Sequence, residues 1–254
     1  MPTPTFEKVT PHIYKLDLPF IGALKVGVFL VQEADGWVLV DAGAPGQDKI
    51  ILPQVLAHTG GALPKMLVLT HGHADHGAAA QRIREEWKIP IAAHRAEIPY
   101  LIGPRSYRQI PTKFLPYKLL QLSPPPLVGR NIQVPLDDGR RLGDQVVYHV
   151  PGHAPGMVAL LHPADRALIC ADTFMNRDGK LADPFPPFTY DMGLNHQSQA
   201  RLVTLDFDHL LVSHGLPILN TGRQQARAFV EKDEKKTTGR MARLRRLILG
   251  PAAE

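Results

Sequence analysis

The stretch Thr70-His71-Gly72-His73-Ala74-Asp75-His76-Gly77 places three histidines and an aspartate within six residues, in a chain where histidine makes up 12 of 254. It follows an apolar run from Lys65 to Thr70, which reads as a short buried strand, and precedes helical spacing from about Gly77 to Trp87. A tight, glycine-containing turn between strand and helix splays alternate side chains. His71 and His73 can then reach one ion while Asp75 and His76 reach another. Imidazole nitrogen and carboxylate oxygen bind zinc at about 2.0 to 2.2 Å and also accept iron or manganese. Four side chains cannot complete two coordination shells, so the fold must bring further ligands from elsewhere in the chain.

Three downstream residues meet that requirement. His153 follows Val150-Pro151-Gly152, Asp172 follows the apolar run Ala167 to Ala171, and His214 follows Leu210-Leu211-Val212-Ser213. Each stands just past the carboxyl end of a predicted strand, where α/β and related folds gather their sites.

The rest of the chain supplies a matching framework. Strands are expected at His12 to Leu18, Val26 to Gln32 and Trp37 to Asp41, with Asp35-Gly36 as a hairpin turn. A helix is expected from Gly46 to His58, stopped by Gly60-Gly61, and a strand at Ile89 to Ala93. Residues Ile98 to Pro126 are rich in proline and aromatics and read as lid or pocket wall, with a helix around Thr112 to Gln121. The opening grammar then repeats, with strands near Asn131 to Leu136, Gln145 to Val150, Met157 to His162 and Ala167 to Ala171. A second proline-rich insertion precedes a helix at Leu194 to Leu205 and a strand at His209 to Ser213. Two sheets packed face to face with helices outside satisfy this order.

With these residues in place, the chain resembles the metallo-β-lactamase superfamily from about Tyr14 to Leu219, and most of all its glyoxalase II and homoserine lactone lactonase branch. The resemblance implies an α/β (α+β) fold, a four-layer αβ/βα sandwich, with two divalent ions, zinc first and iron or manganese as alternatives. It implies His71, His73 and His153 on one ion, Asp75, His76 and His214 on the other, and Asp172 bridging both. Asp41, in Leu39-Val40-Asp41-Ala42-Gly43, matches an early family aspartate that orients the ligands. The implied chemistry is hydrolysis of an ester, lactone or thioester by a hydroxide shared between the ions, with Asp75 as proton relay.

Departures from the family patterns narrow the substrate. The bridging Asp172 is absent from true β-lactamases of the superfamily and counts against β-lactams. Lactonases carry a tyrosine three residues after that aspartate, where this chain has Met175, so Tyr190 is the candidate hydroxyl donor. Ser213 stands where glycine commonly precedes the last histidine, and His73 argues against the flavodiiron branch. Two other readings of the same fold are an iron-dependent sulfur dioxygenase, disfavoured by the complete second ligand set, and a phosphodiesterase or nuclease, which usually adds a clamping domain.

The net charge of +5 comes wholly from residues 223–254, with nine Lys/Arg against four Asp/Glu. Nucleic-acid-binding domains usually carry their basic stripe on the folded body, whereas here the excess sits in the terminal segment, which disfavours that reading. The division expected is a catalytic domain over 1–222 and a basic helical extension over 223–254 packed on it. No apolar run is long enough to span a bilayer, and one cysteine allows no internal disulfide, so a cytoplasmic protein is expected. A small acyl substrate is the expected partner, and a homodimer is compatible. Pocket walls are assigned to Phe20, Ile21, Phe114, Tyr117, Phe174 and Phe188. Cys170 reads as core, and His12, His58, His94, His149, His162, His196 and His209 as structural.

Overall fold

The computed structural model describes residues 3–103, 127 and 132–232. In chain order the first half runs β1 (Glu7–Lys8), β2 (Ile13–Pro19), β3 (Lys25–Glu33), β4 (Gly36–Val40), α1 (Asp48–Thr59), β5 (Met66–Val68), α2 (Ala74–Gly77), α3 (Ala80–Trp87), β6 (Ile91–His94), α4 (Ile98–Ile102) and β7 (Val134–Leu136). The second half runs β8 (Arg141–Leu142), β9 (Gln145–His149), β10 (Val158–His162), β11 (Ala167–Ala171), β12 (Met175–Arg177), β13 (Lys180–Ala182), α5 (Met192–Leu202) and β14 (His209–Val212). Residues 222–232 are also helical.

Strands β1 to β7 form one sheet in sequence order, antiparallel from β1 to β4 and parallel from β4 to β7. The second sheet has the order β14-β11-β10-β9-β8, with β14 parallel to β11. Parallel neighbours need crossovers: α1 lies between β4 and β5, α3 between β5 and β6, α4 between β6 and β7, and α5 between β11 and β14.

Side-chain alternation along the strands sorts the apolar residues into three cores. In β3, Val26, Val28 and Leu30 face one core while Phe29 and Val31 face another. The first set packs with Ile51 and Val55 of α1 and Ile83 and Trp87 of α3. The second meets Val158 and Leu160 of β10 and Ala167 and Ile169 of β11, closing the space between the sheets. On the far side, Ala159, Leu168, Leu210 and Val212 pack against Leu202 of α5 and against Ala226 and Val230 of the 222–232 helix. Helices, sheet, sheet, helices is the four-layer sandwich. Each sheet is buried on both faces, which explains why its strands read as continuous apolar runs.

Several expectations need correction. The helix after the histidine motif begins at Ala74, not near Gly77, and breaks at residues 78–79 into α2 and α3, so Asp75 and His76 sit on helix rather than in a turn. The short strands β1, β8, β12 and β13 and the one-turn helix α4 were not expected. Phe174 is no pocket wall: it is fully buried in the outer core of the second sheet, 6.0 Å from Phe229. The helix expected around Thr112 to Gln121, the wall residues Phe114 and Tyr117, and the basic segment beyond residue 232 lie outside the described residues.

Candidate metal centre

The seven histidine and aspartate side chains singled out in the sequence converge at one edge of the sandwich, beyond the carboxyl ends of β5, β9, β11 and β14. His73 Nδ1 lies 3.2 Å from His71 Nε2 and 2.9 Å from His153 Nε2. On the other side, His214 Nε2 is 3.2 Å from Asp75 Oδ2, and His76 Nε2 is 3.7 Å from the same oxygen. Asp172 joins the two sets: its Oδ2 is 3.4 Å from His153, 3.5 Å from His76 and 3.3 Å from His214, each at Nε2.

The donor set fits divalent cations. Three imidazole nitrogens facing one another cannot all be paired by hydrogen bonds, yet two ligands on a tetrahedral zinc stand about 3.3 Å apart, close to the spacings here. His76 Nε2 and Asp172 Oδ1 are buried without a hydrogen-bond partner among the described residues. Buried polar atoms of that kind call for a ligand.

Backbone geometry aims these groups. The β11 to β14 pairing slips register between Ile169 and Ala171, and Ala171 takes a positive φ of 48° just before Asp172. A bulge with a left-handed residue turns Asp172 out of the strand and toward the histidines.

Outer partners fix the imidazole tautomers. His76 Nδ1 meets Asp41 Oδ2 at 2.9 Å, and His214 Nδ1 donates to the Lys25 carbonyl at 2.7 Å. The Thr189 hydroxyl donates to the Phe185 carbonyl and so accepts from His153 Nδ1 at 3.2 Å. The Thr70 hydroxyl donates to Asp41 and accepts from His71 Nδ1 at 3.1 Å. Four of the five imidazoles therefore turn Nε2 inward, while His73 presents Nδ1. Of these partners only Asp41 was anticipated. Thr70 borders the motif and could have been noticed, whereas a backbone carbonyl leaves no trace in sequence.

Two buried ionisable side chains support the loops. Lys15 Nζ donates to the Gly215 carbonyl at 2.6 Å, next to His214, and pairs with Asp17 at 2.8 Å. Glu97, fully buried, accepts from the backbone N–H of Gly72 at 2.9 Å and of Gly156 at 2.7 Å. Burial pushes the Glu97 carboxyl up to about 7 against the pull of those two bonds.

From the protein's own groups alone, the site divides electrostatically. Burial, reinforced by neighbouring imidazoles, lowers His71 and brings His73 down to about 3; burial, against the pull of Asp172, brings His153 to about 4. Burial also acts on His76 and His214, but Asp172 and Asp75 outweigh it, raising His76 and bringing His214 up to about 10. The same histidines overcome burial to hold Asp172 well below the carboxylate range and Asp75 at about 2.

Around this centre, Tyr190 adjoins the site through its backbone N–H, which donates to the His153 carbonyl at 3.1 Å, and its side chain is 45% exposed. Ile21 is exposed, and Phe20 and Phe188 are partly buried. Cys170 is buried in the core, and burial raises its thiol further. His12, His162 and Asp165 form another group of ligand-type side chains. There Asp165 accepts from the Thr10 hydroxyl and the His12 N–H, and His12 Nδ1 lies 2.5 Å from Oδ1. That contact is a direct hydrogen bond, tying the connection before β2 to the turn before β11.

Fold and site together define a metal-binding α/β sandwich. Residues 21–214 match the family described as the metallo-beta-lactamase superfamily, and the chain belongs to that superfamily. It is 31% identical over 208 residues to the probable metallo-hydrolase YflN of Bacillus subtilis, covering 74% of this chain and 79% of the relative. The probable metallo-hydrolase YybB of the same organism is 28% identical, covering 84% and 90%. Among solved structures, a di-iron-bound form of TTHA1623 aligns with TM-score 0.62 and 25% identity over 82% of this chain and 98% of that one. The metallo-beta-lactamase family protein TTHA1429 from Thermus thermophilus aligns with TM-score 0.69 and 23% identity, over 90% and 81%, which bears on the fold alone. No helix among the described residues is long and apolar enough to cross a membrane.

Proposed function

We propose that the chain is a dinuclear metal-dependent hydrolase of small ester, lactone or thioester substrates. His71, His73 and His153 hold one ion, Asp75, His76 and His214 the other, and Asp172 stands between them. The observation that carries this reading is the position of Asp172 Oδ2, within 3.3 to 3.5 Å of His153 on one side and of His76 and His214 on the other. Two such ions, when bound, supply Lewis-acid polarisation of a carbonyl and activation of water at neutral pH.

The chain's own residues supply the rest. Thr70, Asp41, Thr189 and the Lys25 carbonyl keep four imidazoles in the tautomer that offers Nε2. Asp75 Oδ2 is the carboxylate atom assigned to holding and passing the proton, being partly exposed where Asp172 is buried. The phenol of Tyr190, an exposed residue whose backbone N–H donates to the His153 carbonyl, is assigned as hydroxyl donor toward the substrate.

The complete second triad favours hydrolysis over sulfur oxidation on a single iron. Zinc is the first candidate, and the di-iron neighbour keeps iron open. The single buried cysteine supports a cytosolic setting. The test is metal analysis joined to a panel of chromogenic esters, thioesters, lactones, phosphodiesters and a β-lactam. Two ions per chain and turnover of the acyl substrates are expected, both lost in His71→Ala, His153→Ala and Asp172→Ala. Full turnover in those variants would rule the reading out.

A further inference from the structure

Glu97 is a buried carboxyl group that takes no part in the chemistry proposed above. It follows β6, and its backbone carbonyl opens α4 by accepting from the N–H groups of Tyr100 and Leu101. Its two side-chain oxygens point to different halves of the molecule. Oε1 takes the N–H of Gly72, between His71 and His73, and Oε2 takes the N–H of Gly156, three residues beyond His153. Gly156 has to be glycine for this approach, since a Cβ there would stand 2.2 Å from Glu97 N and 2.6 Å from Glu97 Cβ.

We propose that Glu97 is a positioning residue that ties the His71–His73 turn to the His153 loop and so sets the spacing of the three imidazoles on the first ion. The inference rests on the two-ion reading and deepens it. A glutamate side chain is the length that spans the two loops. Each oxygen faces a backbone donor, so both positions require acceptors. A glutamine offers one acceptor and one NH2 group, and in either orientation the NH2 opposes an N–H. An aspartate keeps the charge but falls a methylene short of spanning the two loops. The second triad, Asp75, His76 and His214, has no bond to Glu97 and is braced instead by Asp41, Lys25 and Lys15.

The test compares stepwise zinc affinities of the full chain by competition with a chromogenic chelator. His214→Ala isolates the first site and His153→Ala the second. Adding Glu97→Gln to the His214→Ala chain is expected to weaken zinc about 10- to 100-fold, the usual size for an outer-shell partner. Adding it to the His153→Ala chain should leave affinity within about threefold, a selectivity that general destabilisation would not produce. Glu97→Asp should show the same one-sided loss, so the conclusion does not depend on a single variant folding. Wild-type affinity at the first site in either Glu97 variant, or equal weakening at both sites, would overturn the assignment. A wild-type chain that binds fewer than two zinc ions would instead sink the two-ion reading beneath it.

Discussion

Asp41 Oδ2 lies 2.9 Å from Nδ1 of His76, with both side chains wholly buried. The same carboxylate takes the Thr70 hydroxyl and N–H, so it reaches His71 through one intermediary. Asp41 has φ 65°, a left-handed conformation that asparagine also tolerates. Asp41→Asn is therefore expected to keep the fold and weaken ion binding about 10- to 100-fold through lost support of the imidazoles. Chelator competition measures this, and unchanged affinity would remove Asp41 from the supporting network.

In chelator-stripped protein, the contribution of these groups to stability should peak near pH 6.5. Burial holds His73 and His153 neutral down to about 3 and 4, and His71 is lowered as well. The unfolded chain takes up those protons at about pH 6.5, so stability falls as pH drops below that value. Asp75 and Asp172 add a further loss below about pH 4, toward the Asp75 value of about 2. Above 6.5 the sign reverses. His76 is raised and His214 reaches about 10, so the folded state binds more protons and loses stability as pH climbs toward 10. Metal loading displaces those protons and should abolish the alkaline decline. Urea midpoints against pH, with and without zinc, measure both arms; a stripped protein that gains stability from pH 7 to 10 would contradict the assignment.

Ala171 stands at φ 48° with its side chain buried, immediately before Asp172. A β-branched residue is a severe outlier at such a φ. Ala171→Val is expected to cost about 1 to 3 kcal/mol and to lower metal content by swinging Asp172 off axis. Ala171→Gly should retain both ions. Calorimetry and elemental analysis report the two effects, and a valine variant with native stability and full metal would show that the bulge imposes no such constraint.

Phe174 fills the outer core of the second sheet. Phe174→Ala should cost about 3 to 5 kcal/mol, with KM for the acyl substrates retained in whatever fraction stays folded. A large rise in KM at unchanged stability would return Phe174 to the pocket wall.

What the sequence disclosed and what it hid follow one physical division. His71, His73, Asp75 and His76 are adjacent in the chain, and His153, Asp172 and His214 each follow an apolar run, so the converging residues could be picked out with their strands. The double burial of each sheet made β3, β5, β10 and β11 legible as apolar stretches. Glu97, Thr189 and Lys15 were missed because their partners are backbone groups or side chains brought near only by the packing of one sheet on the other. Gly72 N–H and the Lys25 carbonyl exist at every residue and carry no sequence signal. The β12–β13 hairpin and α4 are too short for periodicity to register, and Phe174 was misplaced because an aromatic in a loop-like stretch looks the same whether it points in or out.

The converging side chains are shared between the two sheets: His71, His73, Asp75 and His76 come from the half built on β1 to β7, and His153, Asp172 and His214 from the half built on β8 to β14. Neither half alone carries either proposed ligand triad in full, so the proposed centre forms only when the two halves dock. A slip of about one residue, or about 3.3 Å, between the halves would dismantle both triads at once, and assembly of the centre therefore reports that the sandwich has closed in register.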